Sequence, residues 1–544
     1  MQNTVTFQRR KHPRYQVQLK GTLLLTTPEG RISEYPCDVI DLSRYGMRFK
    51  TAPEVVGENG RLKIELALPG VPSATAGIKL LRQEPAEGDG LFYAGELSFP
   101  REDGRRRIHT FIRTLGSNKL IDRREGERRK ITMPTELERR NKDRRKNFGI
   151  FAESVSFSNR IKNWRCTYYQ PAESRRPGRI TISGRELISF ASKDYLGLSH
   201  NPQVKEAAIK ALERYGTSTG SRVLNGTVPL HEELEQEIAK FKGAEAALLF
   251  TGGYIGNISI LSGLLKKDDV VFIDEKVHAS IIDGCVASGA KAIRFAHNSV
   301  QDLEEKISRT DHSRSLIIID GVYSIDGDLG SLPDIKKIAE THNIPLMVDD
   351  AHGIGVLGKT GSGTPEYFGL KGMIDLDVGS CGAGLVSVGG FLACKKYIRD
   401  YILHFSNGVV FTTNLTPITM AVILESLRII QNNEDLRTKL WDNITHLKNG
   451  LKAMDYPVSP TESAVMSIMI GNEHVAHDIV DMLGENGVYV NPFRRPLVRR
   501  GEAKIRLAVS AAHSESDIAK TLEAFKSIRS MMKEELLDKA SAIT

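Results

Sequence analysis

Along the first hundred residues, apolar and polar positions alternate in twos. Tyr15, Val17 and Leu19 face one way while Gln16, Gln18 and Lys20 face the other. Leu62, Ile64, Leu66 and Leu68 repeat the pattern against Arg61, Lys63 and Glu65, and Leu91 to Phe99 reads as a further strand. A period of two is that of a half-buried strand. Ile108, Phe111, Ile112 and Leu115 then fall at helical spacing, with Gly116 as a stop signal. Short strands closed by one helix predict a small β-barrel over residues 1–116.

After about residue 160 the pattern alternates helix and strand. Asn201 is placed to cap a helix with Pro202 in its first turn, Val204, Ala208, Ala211 and Tyr215 on one face, and Gly216 at its end. A second helix carries Leu234, Ile238 and Phe241. Short apolar strands follow at 246–250, 270–273, 291–295, 315–320 and 346–349, separated by helical segments. This predicts an α/β domain with a mainly parallel sheet over about 190–415, whose ligands sit at the C-terminal ends of the strands. A smaller α+β subdomain is expected over about 416–530, so the whole of 151–544 forms one module.

Between the two patterns the composition changes. Residues 117–150 include Asp122 to Lys130 and Glu138 to Lys146, mixed-charge runs with few apolar positions that cannot bury a core. A solvated linker or charged helix is expected. The interleaved acids weaken any affinity for phosphates, so nucleic-acid binding is not expected. The formal net charge of +8 is concentrated in this linker and the barrel, and an anionic partner is therefore sought at the front of the chain. Five scattered cysteines show no metal-ligand or redox spacing, and no metal site is expected. The first residues are charged where a signal peptide needs an apolar block. The longest uncharged stretch, 246–265, is interrupted by Gly252, Gly253, Gly256, Asn257 and Gly263, which suits a buried strand–turn–helix better than a membrane span. A cytoplasmic protein without an integral membrane segment is expected.

Two short motifs stand out in the barrel. Arg10 and Arg14 form an Arg-x-x-x-Arg pair just before the first strand, and Asp41, Ser43 and Gly46 form an Asp-x-Ser-x-x-Gly turn. Together they resemble the cyclic-di-GMP-binding signature of PilZ domains, with both halves intact. Guanidinium forks can engage phosphates, guanine edges and base faces, Asp41 and Ser43 offer short polar groups to guanine, and Gly46 permits a tight turn. The resemblance implies cyclic-di-GMP as a regulatory ligand.

The segments containing Lys193–Leu198, Gly216–Glu235, Phe250–Asn257, His278–Gly284, Tyr323–Ile335 and Val348–Gly358 resemble the α-oxoamine synthase family over about residues 165–530. This is a fold type I, pyridoxal-phosphate-dependent family that includes serine palmitoyltransferase and 2-amino-3-ketobutyrate CoA ligase. The resemblance implies that Asp349 pairs with the cofactor's pyridine nitrogen and that His278 stacks on its ring. His352 and Ser324 would reach its phenolic oxygen, and Gly253, Tyr254 and Ser380 would hold its phosphate. Thr412 and Thr413 would complete that phosphate site from the other subunit of a homodimer, and Arg506 would clamp a substrate carboxylate.

One departure matters. The family's Gly-Thr-x-Ser-Lys-x-x-x-Ser-x-Gly-Gly-Phe pattern reads here from Gly379 to Phe391, and Ala383 stands at the position of the lysine that carries the cofactor. Lys371, Lys395 and Lys396 are too far along the chain to replace it. A Lys→Ala change and a natural pseudoenzyme are both compatible with the string, and either implies an inactive chain. Between Phe493 and Gly501, Arg494, Arg495, Arg499 and Arg500 could hold CoA phosphates or an acidic carrier protein, or be solvated loop charges. The wording is nearest to serine palmitoyltransferase-like members. The expected reaction is therefore decarboxylating condensation of serine, alanine or glycine with a fatty-acyl-CoA or acyl-carrier protein. The alternative is a dimeric, non-catalytic cyclic-di-GMP receptor or scaffold.

Overall fold

The computed structural model describes residues 15–26, 32–43, 46–51, 61–66, 74–85, 91–98, 154, 168–311 and 313–540. The chain divides into two compact units, 1–155 and 156–544. The predicted helix near 108–115, the 117–150 linker, Arg10 and Arg14 all lie outside the described residues.

In the first unit six strands close into a barrel in the order β1-β2-β3-β6-β5-β4. They are β1 (Tyr15–Thr26), β2 (Ile32–Ser43), β3 (Gly46–Thr51), β4 (Arg61–Leu66), β5 (Ala74–Pro85) and β6 (Leu91–Ser98). Every pairing in the barrel is antiparallel, and closure removes the exposed edges that a small sheet would otherwise present. Tyr15 pairs with Leu42 and Gln16 with Asp41, while Ser43 pairs with Gly46. The start of β1, directly after Arg14, thus runs beside the Asp41–Gly46 motif. Register shifts between Gln16 and Leu19 and between Val39 and Asp41 fall next to that motif.

The second unit is built on a seven-stranded sheet in the order β10-β16-β15-β14-β13-β11-β12. Its strands are β10 (Ala246–Phe250), β11 (Val270–Asp274), β12 (Lys291–Phe295), β13 (Ser315–Asp320), β14 (Leu346–Asp349), β15 (Leu376–Ser380) and β16 (Gly390–Cys394). All neighbours are parallel except β16, which runs antiparallel to both β10 and β15. The central strands are apolar on both faces because both are covered. Leu316, Ile318, Val271 and Ile273 pack with the helices Gly253–Leu264 and Ala279–Ser288. Their neighbours Ile317, Ile319, Val270 and Phe272 pack with Val300–Ser308 and Leu332–Thr341 on the other side.

The helix Pro202–Tyr215 begins at Asn201, whose Oδ1 accepts from the Gln203 and Val204 amides, and stops at Gly216. A second sheet, β17-β20-β19, combines β17 (Val465–Gly471), β20 (Ala503–Ala508) and β19 (Asn491–Phe493). A small sheet runs β18-β9-β8-β7, from β18 (Val488–Tyr489) through β9 (Arg185–Ser189) and β8 (Arg179–Ile182) to β7 (Ser174–Arg176). No helix among the described residues is long and apolar enough to cross a membrane.

Two charged clusters stiffen the large sheet. Lys242, fully buried, lies between Asp350 and Asp377. His297 is held between Asp274 (3.0 Å to Nδ1) and Asp328 (2.6 Å to Nε2), with the Tyr323 ring edge-on at 4.4 Å. Burial alone would lower the imidazole's pKa, but the two carboxylates outweigh it and raise it to about 9. A histidine with a raised folded-state pKa contributes stability that is full below its ordinary value of 6.5 and is lost as pH rises through about 9. The melting temperature of the protein should therefore fall between pH 6.5 and 9. His297→Asn should flatten that part of the profile, and an unchanged slope would refute the assignment.

Candidate active site

The strands β11, β13, β14 and β15 deliver Asp274, Asp320, Asp349 and Ser380 to the C-terminal edge of the sheet, where ligands bind in open α/β folds. Asp349 is buried. Its Oδ2 accepts from Asn257 Nδ2 at 2.7 Å, and its Oδ1 accepts from the Ala351 amide at 3.2 Å. Asn257 Nδ2 also donates to Ser280 Oγ at 2.8 Å. Burial pushes the Asp349 carboxyl up, while the Asn257 hydrogen bond and the nearby His278 oppose it. A buried carboxylate of this kind is completed by a cationic N–H partner.

His278 caps the helix Ala279–Ser288. Its Nδ1 accepts from the Ser280 amide at 3.3 Å and lies 2.7 Å from Ser280 Oγ. Its own amide donates to Asp320 Oδ1 at 3.3 Å, so the ring is fixed from both sides of the residue. The Tyr254 ring stands edge-on to it at 6.1 Å, and the Tyr254 hydroxyl donates to Asp283. His352 is buried, with Nδ1 2.7 Å from the hydroxyl of Tyr195. Burial, reinforced by the charges of Lys193, Arg506 and His278, drives its pKa well below the usual histidine range. His352 is therefore a neutral hydrogen-bonding group.

Gly253 opens the helix Gly253–Leu264. A Cβ there would meet Ser380 Cβ at 2.9 Å and Oγ at 3.0 Å, so glycine is what lets the helix end approach the serine. The result is a cradle of backbone N–H groups and a hydroxyl suited to a phosphate. With Asp349 for a ring nitrogen and His278 beside it, these residues fit pyridoxal phosphate. Arg506, on β20, donates Nη1 to the Ser324 carbonyl at 3.0 Å and lies 4.5 Å from the Phe493 ring centre. Burial lowers its pKa. Thr412 and Thr413 follow the short helix Asn407–Val410, and Thr412 lines a recess with Arg222, Thr251 and Asn414.

Ala383 is 3% exposed, and its methyl belongs to the apolar core with Ile354, Cys381, Leu385 and Phe391. The arginine-rich loop divides. Arg494 is buried over the Tyr168 ring and Arg499 reaches Glu275 at 3.4 Å, while Arg495 and Arg500 are exposed. Sequence reasoning did not single out Asn257, Ser280, Tyr195 or Lys193. Asn257 and Ser280 lie inside motifs already quoted, at helix positions that a one-dimensional reading cannot aim. Lys193 interacts electrostatically with Asp349, Arg506 and His352, three groups far apart in sequence.

Both parts of the chain resemble known proteins. Residues 185–525 match the model of the aminotransferase class I and II family, and residues 8–113 match the PilZ domain. The 8-amino-7-oxononanoate synthase of Exiguobacterium sibiricum is 37% identical over 358 residues, 65% of this chain and 92% of that protein. The serine palmitoyltransferase of Sphingobacterium spiritivorum is 37% identical over 381 residues, 69% of this chain and 96% of that protein. Among solved structures, a lysine-to-alanine variant of serine palmitoyltransferase from S. paucimobilis, with a bound PLP–myriocin aldimine, superposes with a TM-score of 0.67 at 32% identity. It covers 70% of this chain and 97% of its own.

Proposed function

We propose, from the premise that this chain belongs to the aminotransferase class I and II family and carries a PilZ domain, that its second unit is a scaffold for decarboxylating C-acyl transfer. The substrates would be a small amino acid (serine, alanine or glycine) and a fatty-acyl thioester. The observation that carries this reading is the nearness of His278 to Asp349 and of both His278 and Arg506 to His352. Pyridoxal phosphate, when bound there, would supply an electron sink for a carbanion at the amino acid's Cα.

Asp349 would keep the ring nitrogen protonated. His278, locked by Ser280 and Asp320, would fix the ring plane, and neutral His352 would offer a hydrogen bond without adding charge. Arg506, already oriented by Ser324, would hold the amino acid's carboxylate and so position the amino acid. Leu224 and Phe411 are 84% and 83% exposed on segments that pack together beside Thr412. This supports a homodimer in which Thr412 and Thr413 serve the partner's phosphate site.

Ala383 favours a second reading, a dimeric receptor without turnover, since no amine stands at the family's position. The deciding experiment is Ala383→Lys, assayed for CO2 and free-thiol release from serine, alanine or glycine with acyl-CoAs and acyl-carrier proteins. Release of both supports the synthase. Cofactor binding with no thiol release from any donor supports the receptor.

The barrel is proposed to bind cyclic-di-GMP through Arg10, Arg14 and the Asp41–Gly46 turn. Calorimetric titration of the intact chain should show binding, and Arg14→Ala should weaken it roughly 10- to 100-fold, the scale of one lost bidentate arginine contact. An absence of heat with the intact chain would remove the proposal. Addition of the nucleotide to the synthase assay tests whether the barrel controls the second unit.

A further inference from the structure

Among the described residues, most lysines around the second unit's sheet are already engaged. Lys242 is enclosed by Asp350 and Asp377, Lys276 and Lys504 share Asp326, Lys371 pairs with Glu366, Lys395 with Glu245 and Lys396 with Asp400. Lys193 is different. Its amine makes no hydrogen bond or ion pair among the described residues, yet it stands in the same electrostatic cluster as Asp349, Arg506 and His352.

The backbone beneath Lys193 is firmly held. Its carbonyl accepts from the Tyr195 amide at 2.8 Å. Asp194 next to it is buried, and its carboxylate accepts from the Leu198 and Ser199 amides at 2.8 and 3.2 Å. Tyr195 is fully buried, with its hydroxyl on His352 and its carbonyl accepting from the Ala511 amide at 2.7 Å. The lysine is thus anchored two residues from a side chain that touches His352, which itself follows Asp349 by three. The Lys193 side chain is exposed, so its amine is open to a ligand that enters from solvent.

We propose that Lys193 supplies the amine missing at Ala383 and is the residue to which pyridoxal phosphate becomes covalently attached in this protein. The nitrogen lone pair of Lys193 would attack the cofactor's aldehyde carbon. A C=N bond forms, the C=O bond breaks, and the oxygen leaves as water with the two protons of the neutral amine, without oxidation or reduction. Only an uncharged amine can do this. Burial and the Arg506 charge both lower the pKa of Lys193, against the opposing pull of Asp349, so the pocket favours the reactive form. Ala383, meanwhile, has its methyl turned into the apolar core.

This inference rests on the cofactor reading above, and the test separates the two. The full-length protein is mixed with one equivalent of pyridoxal phosphate, reduced with borohydride and mapped by peptide mass spectrometry. In parallel, cofactor retention without reduction is measured by equilibrium dialysis. The expected result is one modified peptide, labelled at Lys193, and loss of that label in both Lys193→Met and Lys193→Arg with non-covalent retention preserved. In Ala383→Lys the label should divide between Lys193 and the introduced lysine. Label at the introduced lysine, with none at Lys193 in the parent chain, would overturn the Lys193 assignment and leave the cofactor site standing. Label only at other lysines of the parent chain would overturn the assignment as well. No retention and no label in any of these proteins would overturn both.

Discussion

Lys242→Met should destabilise the second unit by about 3–5 kcal/mol, the cost of stripping one partner from a buried ion pair. The lysine side chain is wholly inaccessible, with Nζ 3.0 Å from Asp350 Oδ2, 2.8 Å from Asp377 Oδ1 and 2.8 Å from the Ser362 carbonyl. Asp350 also accepts from the Thr364 hydroxyl and amide, so the cluster ties the helix Pro229–Lys242 to β14, β15 and the 362–364 turn. Removing the ammonium leaves Asp350 and Asp377 buried without the cation they share. Burial has already pushed Asp377 up to about 7 despite the lysine's opposing pull, and without Lys242 it would be protonated at neutral pH. Asp350 adjoins Asp349, so the damage should reach the site as well as the fold. Urea unfolding of the full chain measures the loss. The double variant Lys242→Met/Asp377→Asn should recover part of it, because asparagine is neutral without having to take up a proton. A midpoint in Lys242→Met equal to that of the parent would show that the cluster contributes nothing net.

That cluster illustrates what the string of residues discloses and what it withholds. Local periodicity carried the strands: Tyr15 to Lys20 alternates and lies in β1, and the apolar runs at 315–320 and 346–349 became central strands. Capping chemistry at Asn201, Pro202 and Gly216 marked a helix because its signals lie within one turn of each end. Lys242, Asp350 and Asp377 are each ordinary in sequence. Their meeting depends on the order in which β14 and β15 are laid down, a fact of topology that no window of neighbours contains.

Lys193 was hidden for a related reason. It lies inside a quoted motif, between Ser192 and Asp194, where a lysine in a turn reads as solvated. Only the hydrogen bond between Tyr195 and His352 ties that loop to the segment that follows Asp349. The antiparallel insertion of β16 between β10 and β15 was likewise unreadable, because a strand's apolar pattern does not record its direction.

Asp349→Asn should give opposite changes in stability and in cofactor affinity. In the protein without cofactor the Asp349 carboxyl is buried and its pKa is raised. For an acid, a raised folded-state pKa costs stability above its unfolded value, near 3.8, and that cost disappears in more acidic solution. Asparagine is nearly isosteric and can still accept from Asn257 Nδ2, giving up the longer 3.2 Å bond from the Ala351 amide, while carrying no charge to desolvate. The variant should therefore melt higher than the parent at neutral pH, and the difference should shrink as pH falls toward 4. Its neutral amide cannot keep a ring nitrogen protonated, so pyridoxal phosphate should bind about 10- to 150-fold more weakly, the range for losing one hydrogen bond to a charged group. Calorimetric melting at pH 4 and pH 7, paired with equilibrium dialysis of the cofactor, reads both effects in one protein. Higher stability with undiminished affinity would mean that Asp349 does not face the ring nitrogen, and the role built on its place at the end of β14 would fall with it.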